Sequence, residues 1–280
     1  MENEEPPKER VVKPQEALEG IEAGKGFQER LIHKVTSSEL WRSVIRHGSP
    51  ALRRNRALTV ISNFFLHLHP LSIPRRALAF AHTWCMGGIT FLLFLVLTVS
   101  GVLLMFYYVP EVGRAYEDMK DLQFAVSFGM LMRNLHRWSA HAMVVAVILH
   151  MMRVFYSGAY KPPRQFNWVI GVSLLVLTLL LSFTGYLLPW DQLSLWAITV
   201  GANMAGATPL VGYQGPFHEL LGARVDNDVR FLLLGGTLVG QNALLRFYVL
   251  HCIVLPLVAV LGMAIHFWRV RKDGGISKPL

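Results

Sequence analysis

Four histidines stand in two apolar segments of the sequence. His136 and His150 are fourteen residues apart in one, and His251 and His266 are fifteen apart in the other. An ionisable group inside a stretch apolar enough to cross a bilayer is costly and, as a rule, functional. A single such histidine reads equally well as an interhelical hydrogen-bond partner, but two pairs of matched spacing do not. On a helix, fourteen residues bring His150 within about 40° of His136 and about 21 Å further along the axis; fifteen give a similar face about 22 Å away. One crossing separates the two segments, so they run parallel, with His136 level with His251 and His150 level with His266. Facing imidazoles at each level make two bis-histidine sites, the ligation of a low-spin haem with no open position for oxygen. Two histidines alone are too few for a closed zinc site.

The flanking residues fit such a cofactor. Gly87 and Gly101 are fourteen apart in one neighbouring apolar segment, and Gly171 and Gly185 fourteen apart in another. Small residues let helices or a flat ring approach closely, so both glycine pairs are expected to face the ring edges. Arg133 and Arg137 flank His136, Arg153 follows His150, Arg246 precedes His251, and Arg269 and Arg271 follow His266. Haem propionates are carboxylates, for which arginine is the bidentate partner. Snorkelling to the membrane interface is the competing account and weighs most for Arg269.

The elements that position these residues follow from composition. Of 280 residues 53% are hydrophobic and only 16% charged, and no charge occurs in 77–110, 165–190 or 247–268. Runs of that length exceed the roughly 20 residues that cross a bilayer as helix. The expected fold is an all-α membrane protein, a four-transmembrane-helix haem-binding bundle with spans near 78–109, 124–153, 166–188 and 246–269. A polar tail, 1–25, reads as disordered; 26–76 alternates basic and apolar residues, as amphipathic helices on a membrane face do; and 77–280 forms the bundle domain. Residues 1–76 contain no apolar signal segment. The stretch 191–240, rich in Gly and Pro, reads as short surface helices and turns.

Charge sets the expected orientation. Residues 1–76 hold 13 Lys/Arg against 9 Asp/Glu, 153–164 three against none, and 269–280 four against one. The segment 110–132 holds two against four, and 189–246 three against four. Basic segments stay cytoplasmic, which places both termini and the loop between spans two and three on that side. The net charge of +9 is therefore a topology signal and no nucleic-acid footprint. Cys85 and Cys252 make no disulfide framework, and composition alone reads each as a packed hydrophobe.

RNLHRWSAHAMVVAVILHMMR, TGYLLPWDQLSLWA and RFYVLHCIVLPLVAVLGMAIHFWRVRKDGGISKPL resemble the cytochrome b of quinol:cytochrome c reductases of the bc1/b6f type. The fifteen-residue spacing, FYY after the first span and the ending GISKPL are those of the b6 branch, the N-terminal part of a split cytochrome b. The resemblance covers about 77–280, and FQERL at Phe27–Leu31 matches the branch's amphipathic amino-terminal helix. It implies two haems b and, from CMGGIT, an extra c-type haem attached covalently at Cys85 on the cytoplasmic side. It also implies a Q cycle: quinol is oxidised at the outer face, one electron passing to a Rieske-type iron–sulfur protein and the other crossing the membrane to reduce quinone. The implied partners are a c-type cytochrome, quinone and a subunit IV-like C-terminal subunit, in a dimeric complex. The PEWY motif of the quinol site is absent here, so Trp190, Asp191 and Gln192 are expected to form one wall of that site and subunit IV the rest.

There are departures. LSIPRRALAFAHTW before Cys85 lacks the acidic residue of the branch's cytoplasmic quinone site, and His82 is a candidate by position. ITVGANMAG reads more like the bc1 branch. The mixture fits a bacterial relative in the inner membrane. Two other accounts stay open: a dihaem b anchor of another quinone-linked oxidoreductase, and a haem-free scaffold or transporter. The first does not explain CMGGIT, PWDQ or the glycine pairs, and the second leaves the paired histidines without a role.

Overall fold

The computed structural model describes residues 26–37, 75 and 80–276, all-helical with no strand among them. The chain divides into two units, Met1–Leu71 and Ser72–Leu280. In the first, helix α1 (Phe27–Thr36) realises the expected amphipathic pattern, with Leu31, Ile32 and Val35 exposed. The tail 1–25 and the remaining amphipathic helices expected before residue 75 lie outside the described residues.

The second unit begins with one turn, α2 (Phe80–Thr83), and then four helices long and apolar enough to cross a membrane. These are α3 (Met86–Met105), α5 (Gly129–Tyr156), α6 (Gln165–Tyr186) and a continuous 33-residue run, Gln241–Asp273. That last run comprises α9 (Gln241–Val249), a π-helical turn (Leu250–Val254) and α10 (Leu255–Asp273). Against the expected bounds, the first span starts at Met86, because the chain breaks at Trp84 and Cys85, both with positive φ (54° and 49°). The fourth starts five residues earlier than expected, at Gln241, because the polar turn ending at Gly240 comes before the charge-free run does.

Between the spans lie α4 (Ala115–Phe124), α7 (Gln192–Gly206), a 3-10 turn (His218–Leu221) and α8 (Val229–Leu234). Asp191 and Asp228 cap α7 and α8, each carboxylate accepting a first-turn backbone N–H at 2.8 Å, which satisfies donors that a helix start leaves bare.

The packing is that of a membrane bundle. Large apolar side chains such as Leu92, Val99, Val145, Val169, Leu257 and Leu261 face outward; a soluble protein does not leave so much apolar surface open. The buried positions within α3, α5, α6 and α10 are Ser100, Gly129, Ser139, Ala146, Val147, Thr184 and Ala259, mostly the small residue types that let helices approach in lipid. Larger buried side chains gather at one end of the bundle, where Tyr108, Leu187, Trp190, Ile198, Leu234, Leu244 and Phe247 form a cluster.

Helix α3 packs on α5, and α6 on α10. Helix α5 and the run from the π-helical turn through α10, which carry the histidines, do not pack closely on one another. The bundle is thus two closely packed helix pairs, α3 with α5 and α6 with α10, which also meet where α5 packs on α6.

Candidate cofactor site

The structure brings the four histidines together in two tiers. The His136 and His251 ring centroids are 6.3 Å apart with planes at 78°, and those of His150 and His266 are 6.4 Å apart, also at 78°. Two imidazoles holding one metal from opposite sides, at about 2 Å per nitrogen, have centroids about 6 Å apart. Both tiers meet that separation, and no third His, Cys, Asp or Glu joins either of them among the described residues. The residues therefore fit a bis-histidine haem and not a closed zinc site.

Each of the four glycines abuts one of these imidazoles. A Cβ on Gly101 would meet Cε1 of His136 at 3.2 Å, and one on Gly185 would meet Cε1 of His251 at 2.5 Å. In the second tier, Gly87 lies 3.5 Å in the same sense from His150, and Gly171 3.7 Å from His266. The cradle the glycines leave is thus filled by the imidazoles themselves. The ring-edge expectation locates the glycines at the right depth, and the structure adds that the histidine needs the room.

The fifteen-residue interval works through the π-helical turn. Fifteen residues do not give the similar face expected from the sequence: in regular helix they overshoot a face by about 60° where fourteen fall short by about 40°, so the two ligand helices would present different faces. The turn at Leu250–Val254 holds His251 and absorbs one residue. Pro256 follows directly, in the first turn of α10, and a proline removes one backbone donor and crowds the carbonyl four residues before it.

Two residues were missed by the sequence reading. Ser100 Oγ lies 2.9 Å from His136 Nδ1, and Thr184 Oγ1 lies 3.2 Å from His251 Nδ1. Each directly precedes a cradle glycine, in the dipeptides Ser100–Gly101 and Thr184–Gly185, a signal available in the sequence.

At the second-tier end the chain enters α3 through Cys85, exposed and left-handed. Gly87, two residues on, abuts His150, so Cys85 stands near that tier. A cavity of about 210 Å³ lies beside it, lined by Trp84, Met86, Leu149 and Arg153. Arg153 Nη2 donates to the His82 carbonyl at 2.7 Å, and its buried Nε has no partner among the described residues. Cys252 lies half-buried beside His251.

The other arginines lie as follows. Arg133 donates to Gln123, Arg137 is exposed, and Arg246 donates to the Leu232 carbonyl, which ties α9 to α8. Arg269 pairs with Asp273 at 2.6 Å over the Phe166 ring, while Arg271 is half-buried with no described partner. Arg164, unremarked in the sequence, donates to the Gly275 carbonyl at 3.0 Å and ties the loop before α6 to the end of α10.

At the first-tier end, Trp190 is buried in the apolar cluster, Asp191 is the α7 cap and Gln192 is exposed. Tyr108 donates to the Leu188 carbonyl at 2.6 Å and stacks on Tyr248. Burial pushes its phenol above the ordinary value, and Cys252, Tyr248 and Asp118 add to the effect.

Fold and site together define a class: a multi-pass membrane bundle with two tiers of facing imidazoles, each ring seated against a glycine. Comparison with known proteins agrees. The family described as cytochrome b/b6/petB matches residues 75–274. Cytochrome b6 of Heliomicrobium gestii is 42% identical over 197 residues, which cover 70% of this chain and 85% of that protein. Cytochrome b6 of Gracilaria tenuistipitata var. liui is 45% identical with the same coverage. A solved hyperthermophilic respiratory Complex III chain shares the fold, with TM-score 0.65 and 24% identity, over 89% of this chain and 56% of that one. The chain belongs to the cytochrome b/b6 family, and membership makes it a membrane-bound b-type cytochrome.

Proposed function

We propose that this chain is the dihaem b subunit of a Q-cycle quinol oxidoreductase, carrying electrons from an outer quinol site to a quinone site on the cytoplasmic side. His136 and His251 hold one haem b and His150 and His266 the other. The observation that carries this reading is the pair of nearly equal imidazole separations, 6.3 and 6.4 Å, on helices with few other close contacts between them. When bound between such pairs, haem b supplies one-electron transfer without an open coordination position.

The chain's own residues do the rest. The imidazoles fix two depths, and the glycines give them room. Arg153 and Arg271 at the second-tier end, and Arg133, Arg137 and Arg246 near the first, are the propionate partners by position. Arg133 and Arg246 hold a Gln123 oxygen and a backbone carbonyl, so they serve the propionates only if they exchange those partners.

Cys85 is the attachment point for an extra c-type haem. Its thiol is exposed, it lies at the depth of His150, and the cavity beside it is lined by an arginine. Trp190, Asp191 and Gln192 border the quinol site, and a subunit IV-like chain completes it. In this arrangement Trp190 and Asp191 hold the backbone of that wall, and Gln192 is the exposed group. A Rieske-type protein and a c-type cytochrome take the other electron, in a dimeric complex. In this reading the membrane is a bacterial inner membrane, and both termini are cytoplasmic, which the charge asymmetry supports.

A pyridine haemochrome spectrum of the purified protein, with a haem-stained denaturing gel, tests the reading. Two haems b, each lost separately on substituting a histidine of its tier, are expected. Covalent stain lost in Cys85→Ala is expected as well. A haem-free protein sinks the whole reading, and haem b without covalent stain removes the Cys85 assignment alone.

A further inference from the structure

We propose that Ser100 and Thr184 are positioning residues for the first tier, fixing both imidazoles with Nε2 toward the iron and lowering that haem's reduction potential relative to the second. The proposal rests on the haem reading above.

The argument begins with one proton per hydroxyl. Ser100 Oγ donates to the Val96 carbonyl at 2.7 Å, and Thr184 Oγ1 donates to the Leu180 carbonyl at 2.8 Å. Both hydroxyls are buried, at 1% and 4% residue exposure, so water offers no alternative partner. With its proton committed to the helix, each oxygen presents only lone pairs to the ring 2.9 or 3.2 Å away. The histidine must then donate through Nδ1–H, which leaves Nε2 bare, the form a metal ligand requires. The same bond raises the donor strength of the ligating nitrogen. A stronger donor stabilises the ferric ion more than the ferrous one, so the added electron is held less tightly.

The second tier differs in this respect. Gly87 and Gly171 are preceded by Met86 and Ile170, which offer no hydroxyl. Among the described residues the hydroxyl bonds to these four imidazoles are those of Ser100 and Thr184 alone. Two sites alike in ring separation and angle are thereby made unequal in the direction that favours electron passage from the first tier to the second.

The test measures both haem potentials by absorbance, in membranes holding the assembled protein, for wild type, Ser100→Ala, Thr184→Val, the double variant and Thr184→Ser. The first-tier potential should rise in Ser100→Ala and Thr184→Val, each by a several-fold change in the ferric–ferrous equilibrium, and rise further in the double variant. Thr184→Ser, which keeps the hydroxyl, should match wild type, and the second tier should not move. An unchanged first tier, or equal shifts in both tiers, overturns the proposal. If Thr184→Val loses its haem, Thr184→Ser decides: haem retained supports the hydroxyl's role, and haem lost there too assigns the position to packing and overturns it. Haem missing from the wild-type protein would instead overturn the reading on which this rests.

Discussion

Gly185 and His251 compete for one volume: a Cβ on the glycine would lie 2.5 Å from Cε1 and 3.0 Å from Nδ1 of the imidazole. The other three glycines stand progressively further off, Gly101 at 3.2 Å, Gly87 at 3.5 Å and Gly171 at 3.7 Å from their histidines. Alanine substitutions should therefore be graded. Gly185→Ala forces the ring aside, at a cost of about 1–3 kcal/mol, and should lose the first-tier haem. Gly101→Ala should weaken it. Gly87→Ala and Gly171→Ala should keep both haems and gain helix stability of about 0.5–1 kcal/mol. Haem content per chain and thermal stability of the four variants check the order; equal effects at all four positions would remove the steric account.

The π-helical turn carries its own expectation. Deleting Ile253 removes the surplus residue and leaves fourteen between the ligands, as in α5. A regular helix then aligns both histidines, and both haems should be retained. Deleting Val144 between His136 and His150 turns one ligand by about 100° and should lose one haem. Spectra of the two deletions at equal expression compare them; loss of a haem in the Ile253 deletion alone would count against the register argument.

Tyr108 makes the first-tier end sensitive to alkali. Its folded value lies above the ordinary 10.0 because burial disfavours the phenolate. The unfolded chain therefore loses that proton first, and the stability linked to Tyr108 is full below pH 10 and falls as pH rises beyond it. Tyr108→Phe should lower stability by about 1 kcal/mol at neutral pH, through the bond lost to Leu188, and flatten the fall above pH 10. Thermal melts from pH 8 to 11 follow both; a parallel decline in the two proteins would exclude this residue as the cause.

Arg153 joins the end of α5 to the chain before Cys85 through the His82 carbonyl. Arg153→Gln should disturb the second tier only, lowering haem content there and reducing covalent haem stain at Cys85, with the first-tier spectrum unaltered. Arg137→Gln, at an exposed position, should change both tiers little. A uniform loss across both tiers in Arg153→Gln would assign this arginine to general folding.

The sequence by itself determined the spans, their number and the two tiers. Three charge-free runs of bilayer length, with a fourth apolar run interrupted by Arg133 and Arg137, leave a helix as the only way to satisfy the backbone in lipid, and the rise per residue then sets which histidines lie level. The same rise located the glycines, because a shared interval of fourteen along antiparallel neighbours puts them at the histidine depths.

Only the tertiary structure decided what each small group does. That Gly185 makes room for an imidazole, that Ser100 and Thr184 hold Nδ1 and that Trp190 packs in the apolar cluster all depend on contacts between residues far apart in the chain. The span bounds at Met86 and Gln241 depended on local backbone turns that hydropathy does not register. The π-helical turn was hidden for a related reason. A surplus residue in a helix changes the spacing by one, and whether that rotates a ligand away or is absorbed locally depends on what the helix packs against. Here His251 is held between Gly185 and Thr184 on α6 at one end of the interval, and His266 rests against Gly171 at the other. With both faces pinned by neighbours, the backbone between them takes up the difference.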